Sequence, residues 1–267
     1  MPDSLANRSE IERWNGPAAQ RWLAERERHA AIRHRLLPHL LALSRPDDVV
    51  LDVGCGCGDL TRALAGSVTG LDVSEPLLEV ARRSVPGVEF RRGDAQTYPL
   101  PPAAYDLIVS SFGVMFFDDP VAAFGNLRTA LRASGRLAFL CWQDPLANEI
   151  FAIPLRAFRR YGFAPDPISR DSFADPGAIS AMLAEAGFAE VQVDALREPA
   201  RLGSDVPDVM GYAFGSSQVR DLVAAAGPEV AARVRAEMEA EFTARTRPDG
   251  VWVEAAAYLV TARLMPA

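Results

Sequence analysis

A chain of 267 residues, 49% of them apolar, suits one large domain able to bury a substantial core. Its formal charge of −7 argues against a nucleic-acid binder, which needs a basic face, and all 28 basic residues are arginine, which excludes lysine Schiff-base chemistry. Three cysteines (Cys55, Cys57 and Cys141) cannot build a disulfide framework, and no apolar run approaches the roughly 20 residues of a membrane span. With no apolar signal-peptide core at its start, the chain is expected to be cytoplasmic.

The first part reads as helix. Over 17–43, Trp22, Leu23, Ile32, Leu36, Leu37 and Leu40 recur between charges; Pro17 suits a first turn, and Pro38 predicts a kink or break. The run 48–53 (DVVLDV) is short, β-branched and apolar, as in a buried parallel strand. A glycine turn follows, then a helix beginning over 60–64. Strands are expected at 67–73, 88–92, 105–111 and 135–142. Helices alternate with them, at 119–131 and after Ser74, which can cap SEPLLEVARR with Pro76 in the first turn. This rhythm predicts right-handed crossovers and a doubly wound parallel sheet of the α/β class.

Beyond Trp142 the rhythm breaks. Residues 144–176 are rich in proline and aromatics and predict an irregular insertion with a short helix. A helix at 179–187 and a strand at 191–196 follow, then helices near 206–226 and 228–245 and a last strand around 255–262. The expected division is a helical cap (1–45), a core (46–143), the insertion (144–176) and the rest of the core (177–267), whose helical lid spans about 203–246.

The turn LDVGCGCGDL at 51–60 decides the ligand class. Cys55 and Cys57 stand two apart with no histidine or second cysteine pair nearby, whereas zinc takes about four ligands at wider spacing; no metal is expected. A P-loop needs a lysine that the chain lacks. Gly54, Gly56 and Gly58 run G-x-G-x-G, not the G-x-G-x-x-G of a dinucleotide fold, and Asp59 at the following helix start would repel a pyrophosphate. Asp72 ends the second strand, where an acid can accept from both ribose hydroxyls, and Asp94 follows the third, where a carboxylate can accept from an exocyclic amine. Such a set suits adenosine without phosphates.

Taken in order, VLDVGCGCGDLT, GLDVS, GDAQTYPLP, YDLIVSSFGVMFF and LRASGRLAF resemble the class I S-adenosylmethionine-dependent methyltransferases. Within them the chain is most similar to small-molecule enzymes of the ubiquinone/menaquinone C-methyltransferase type. The resemblance covers about residues 48–142. It implies a Rossmann-like, mostly parallel seven-stranded sheet with an antiparallel C-terminal strand and added lid helices. The implied cofactor is S-adenosyl-L-methionine, leaving as S-adenosyl-L-homocysteine. Gly54, Cys55, Gly56 and Gly58 would line its methionine half, with Asp52 nearby. Asp72 would hold the ribose and Val73 would lie against the adenine. Asp94 would bind the adenine amine while the Ala95 N–H reaches a ring nitrogen. Ser110 would approach the amino-acid end, with Ser111 and Phe112 beside the methyl.

Each acid also has a plain turn or capping role open to it. Phe112, Met115, Phe116 and Phe117 suit core and pocket wall equally. Trp14 and Trp22 could face the sulfonium through cation–π attraction or simply pack their helices. His29, His34 and His39 stand five apart and share no helical face, so each reads as surface or structural; His34 and Asp144 are weak candidates for a base. The expected reaction is methyl transfer to carbon or oxygen of a small, apolar or aromatic metabolite in biosynthesis, with no nucleic-acid or membrane partner and self-association left open. The alternative is a binder of the same cofactor that catalyses a cyclisation or elimination. A nicotinamide oxidoreductase is disfavoured by the glycine spacing, and acyl transfer by the lack of a G-x-S-x-G elbow.

Overall fold

The computed structural model describes residues 7–164 and 173–264. Four short helices lead in: α1 (Arg8–Trp14), α2 (Pro17–Ala24), α3 (Arg26–Arg33) and α4 (Leu37–Leu41). The break before α4 falls where Pro38, inside its first turn, forbids continuation from α3.

The sheet holds β1 (Val49–Val53), β2 (Ser67–Asp72), β3 (Glu89–Arg92), β4 (Tyr105–Ser111), β5 (Leu131–Trp142), β6 (Phe188–Gly203), a two-residue β7 (Thr246–Arg247) and β8 (Gly250–Leu264). Its order is β3-β2-β1-β4-β5-β8-β6, with β7 paired to β8, so eight strands stand where seven were expected. Strands β1 to β5 pair in parallel; β8 runs antiparallel between β5 and β6. β1 is buried nearly throughout, as its β-branched run requires, and lies beside both β2 and β4. The strand order therefore reverses at β1, and a crevice opens there beyond the strand ends.

Helices α5 (Glu75–Ser84), α6 (Pro120–Ala130), α7 (Glu149–Arg159) and α8 (Pro176–Glu185) connect the strands. Between β6 and β8 stand α9 (Val206–Gly215) and α10 (Ser217–Thr243), the latter broken at Gly227 (φ +76°), before Pro228. The expected antiparallel pair with helices inserted is thus present. Two local expectations fail. Residues 60–63 form hydrogen-bonded turns rather than a helix, with the Arg62 N–H donating to the Gly58 carbonyl at 3.0 Å and the Leu64 N–H to the Leu60 carbonyl at 3.1 Å. Ser74 does not cap α5 with its side chain, because its Oγ donates to the Trp14 carbonyl at 2.5 Å.

Candidate functional site

The crevice is a cavity of about 1130 Å³ over the C-terminal ends of β1, β2 and β4. Gly54, Cys55 and Gly56 form one wall, with Cys57 and Asp59 beyond. The turn is anchored by the Gly54 N–H donating to the Leu71 carbonyl at 2.8 Å. Both cysteines of the turn are buried, which pushes the Cys55 thiol well up and that of Cys57 to about 11, so they pack as neutral thiols.

Gly58 and Ser110 do not line the cavity, against expectation. Gly58 faces Val85, Phe90 and Ala81, where a β-carbon would already be tight. Ser110 is 1% exposed, and its Oγ accepts the Gly113 N–H at 3.1 Å. On β4, alternate side chains leave on opposite faces, which gives the cavity to Ser111 instead. The Ser111 Oγ is buried without a hydrogen-bond partner among the described residues.

The three acids do line the cavity, and each is buried. Asp72 Oδ2 accepts the Gly56 N–H and Oδ1 the Ser74 N–H, both at 2.8 Å. Burial pushes its carboxyl up against those two bonds. Asp52 accepts from Thr61 Oγ1 at 2.6 Å. Burial carries the Asp52 carboxyl up to about 7; the Thr61 hydroxyl and Arg33 oppose this, while Asp72 adds to it. Asp94 Oδ1 accepts from the Asn7 amide at 3.2 Å and the Gln96 N–H at 3.1 Å. Its Oδ2 is buried and has no partner among the described residues. Val73 and Ala95 lie beside Asp72 and Asp94 on the same wall.

The leading helices roof the cavity. Asn15 binds the β2–α5 turn twice, through the Val73 carbonyl at 2.9 Å and the Glu75 N–H at 3.1 Å. This seats Trp14 edge-on to Phe116 (5.1 Å) and Trp22 (5.8 Å). Phe112, Met115, Phe116 and Phe117 all reach the cavity, although Phe112 and Met115 are also buried in the core. Phe112 adopts φ +65°, a costly conformation for a side chain of its size, and stacks on Trp142 at 4.0 Å. Of the later aromatics, Trp142, Phe151, Tyr212 and Phe242 line the cavity; Phe158, Phe163, Phe173, Phe214 and Trp252 do not.

Two functional candidates escaped the sequence. Arg33, on α3, is 9% exposed; its Nε donates to the His29 carbonyl at 3.0 Å and its nearest carboxylate, Asp59, stands 3.7 Å away. Burial pulls its pKa down despite Asp59. His29 lines the cavity rather than the surface, stacked on Trp22 at 4.0 Å. No spacing rule flagged either residue, because only the fold of α3 against the glycine turn brings them in. His34 and Asp144 stand outside, exposed.

The donor set has a definite chemistry. A buried carboxyl whose pKa has risen, Asp52, is short of a cation; a buried guanidinium with one distant partner, Arg33, is short of an anion. Asp94 Oδ2 is short of a donor, and each Asp72 oxygen keeps a lone pair after its backbone bond. A nucleoside carrying an amino-acid zwitterion meets all four needs.

The sequence matches the family described as Methyltransferase domain over residues 51–139. It is 31% identical over 172 residues to the demethylmenaquinone methyltransferase of Thermus thermophilus, covering 55% of this chain and 77% of that one. Nocamycin O-methyltransferase of Saccharothrix syringae is 28% identical over 247 residues, covering 84% of this chain and 88% of its own. A solved S-adenosylmethionine-dependent methyltransferase from Thermotoga maritima superposes with a TM-score of 0.56 at 15% identity, covering 96% of this chain and 99% of that one.

Proposed function

Because this chain belongs to the class I S-adenosylmethionine-dependent methyltransferases, we propose that it methylates a carbon or oxygen atom of a small apolar or aromatic metabolite. The carrying observation is that one cavity joins the four unmet polar needs to an aromatic chamber. Its volume of about 1130 Å³ exceeds the range of roughly 300–1,000 Å³ usual for one small ligand, which favours two molecules side by side.

The cofactor brings a methyl group already activated on a sulfonium, so the chain's task is to hold, orient and keep dry. Asp72 accepts from the ribose hydroxyls; Asp94 Oδ2 accepts from the adenine amine, the Ala95 N–H donates to the ring and Val73 packs against it. Asp52 takes the ammonium and Arg33 the carboxylate of the amino-acid tail. Backbone at Gly54, Cys55 and Gly56 allows the tail close approach. Trp14, Trp22 and Phe116 exclude water and offer aromatic faces to a cation, worth about 0.5–2 kcal/mol. Positioning two reactants this way supplies about 7–11 kcal/mol of a displacement barrier.

Nocamycin O-methyltransferase, alike over most of its length, and the quinone-pathway relative support oxygen and carbon respectively as acceptors. The reading is tested by thermal shift and label transfer. S-adenosylhomocysteine at 100 times its Kd adds about 2.7 kcal/mol of stability while NADH adds none. Labelled methyl then moves from the cofactor to a small-molecule acceptor; binding without any transfer favours the cyclisation or elimination alternative.

A further inference from the structure

Between the leading helices and the lid sits a titratable pair that positioning alone does not use. His29, on α3, has its Nε2 3.5 Å from the Tyr212 hydroxyl on α9. The two rings meet edge-on, 6.1 Å apart, and the other face of the imidazole stacks on Trp22. Both residues line the cavity, while the second imidazole nitrogen, Nδ1, is buried with no hydrogen bond among the described residues. Burial, then Arg33 and Arg28 on its own helix, hold the imidazole down to about 4, and only the Trp22 carbonyl favours the protonated form. Tyr212 in turn is kept protonated by burial, with Glu25 acting the same way and Arg28 against it. A neutral imidazole with a phenol at the long end of hydrogen-bond reach keeps its Nε2 lone pair free to accept a proton. The same burial makes it a weaker base than a free imidazole and makes the imidazolium quick to give the proton up. Such contacts commonly tighten once a substrate is bound.

Phe112, Met115, Trp142 and Phe151 supply an apolar lining beside them, while Gln143, Asp221, Glu10 and Glu25 also reach the cavity; the His29–Tyr212 contact is where an imidazole meets a hydroxyl. We infer that His29 and Tyr212 are the proton-accepting pair for an acceptor bearing a phenol or enol hydroxyl, so that the atom methylated is oxygen. This rests on the methyltransferase reading and narrows it. In the step, the hydroxyl proton of the acceptor passes to Tyr212 Oη as the Tyr212 proton passes to His29 Nε2. A lone pair of the acceptor oxygen forms the bond to the methyl carbon, and the electron pair of the broken carbon–sulfur bond stays on sulfur. The products are an aryl or enol ether, the neutral thioether and an imidazolium, which releases its proton to water when the lid opens. His29 and Tyr212 sit on different elements, so the pair assembles only when α9 is closed on α3. Arg28 holds that closure through Asp208 at 2.5 Å and the Leu202 carbonyl.

The test uses the full chain with His29→Gln, Tyr212→Phe and the double variant. Calorimetry with S-adenosylhomocysteine comes first: affinity within about threefold of the unaltered chain shows that the variants fold. The S-adenosylhomocysteine complex is then titrated with 2-naphthol and with naphthalene. The unaltered chain prefers the naphthol by about five- to tenfold, one hydrogen bond's worth, and Tyr212→Phe loses the preference. Last, methyl-labelled cofactor is supplied with a panel of naphthols, hydroxyquinones and 4-nitrophenol. Either single variant slows transfer to un-ionised hydroxyls about 10²- to 10⁴-fold, and the double variant is no worse. The loss shrinks for 4-nitrophenol in alkaline buffer, where the acceptor is already a phenolate. No binding of S-adenosylhomocysteine by the unaltered chain overturns the methyltransferase reading itself. Binding with no naphthol preference, with label reaching only carbon or nitrogen, or with a loss equal for phenol and phenolate overturns the pair alone.

Discussion

Gly54 and Gly113 meet backbone to backbone: a β-carbon on Gly54 would lie 2.8 Å from the Gly113 Cα, and one on Gly113 2.9 Å from the Gly54 Cα. The contact locks the glycine turn after β1 to the bend after β4.

Gly54→Ala therefore carries two penalties, a φ of +68° and a collision with backbone that cannot swing aside. It is expected to cost about 1–3 kcal/mol and to weaken S-adenosylhomocysteine binding. Gly125→Ala is the control, because its β-carbon meets nothing within 4 Å on α6 and alanine suits a helix better. Urea denaturation of both variants without ligand checks the contrast.

Asp72→Asn keeps the shape of the side chain and removes the charge that receives the ribose. A loss of about 1.5–3 kcal/mol, or 10- to 100-fold in S-adenosylhomocysteine affinity, is expected by calorimetry. An unchanged affinity would take the ribose away from this residue.

Asp52 and His29 pull the pH dependence of stability in opposite directions. Asp52 is raised from 3.8 to about 7, so between those values the folded chain holds a proton that the unfolded chain has lost, and stability falls as pH rises. His29 is lowered from 6.5 to about 4, so there the unfolded chain holds the extra proton, and stability rises with pH. The two nearly cancel between about pH 4 and 6.5, each slope being at most about 1.4 kcal/mol per unit. Asp52→Asn, still bonded to Thr61 and freed of repulsion from Asp72, should expose the rising limb due to His29 beside Arg28 and Arg33. Denaturation midpoints at several pH values read it directly.

Ligand affinity follows the same acid. The Asp52 carboxylate pairs with an ammonium only when ionised, so S-adenosylhomocysteine should bind more tightly as pH rises through 7. Thr61→Val removes the 2.6 Å bond that favours the carboxylate and should move that transition to higher pH. An affinity flat between pH 6 and 8 would count against the pairing.

The lid depends on one guanidinium. Arg28 binds Asp208, whose carboxyl it draws down to about 2, and lies 4.7 Å over the Tyr212 ring. Arg28→Gln should speed amide exchange in α9 several-fold yet cost only about 1 kcal/mol in stability, since the pair is part-exposed. Exchange confined to its present rate would mean that apolar packing alone closes the lid.

The sheet was legible because β1, β2 and β4 carry short β-branched runs and strand alternates with helix along the chain, a rhythm that survives without tertiary context. The places of Asp72 and Asp94 were legible for a related reason: Asp72 ends β2 and Asp94 follows β3, both on the open side of the crevice, a position fixed by chain direction. Ser110 was misplaced because alternate side chains on β4 face opposite ways, and one residue of register exchanges it for Ser111. Arg33 and His29 could not be read at all. Their chemistry depends on where α3 is laid across the turn, and that is decided by Asn15, Arg28 and Asp208, contacts 58 to 180 residues apart in the chain.

The most direct measurement is a crystal structure of the chain with S-adenosylhomocysteine. The account predicts the adenine amine at Asp94 Oδ2, the ribose on Asp72, the ammonium at Asp52 and the carboxylate at Arg33. A nucleoside seated elsewhere, or an amino-acid tail that leaves Asp52 and Arg33 untouched, would contradict it.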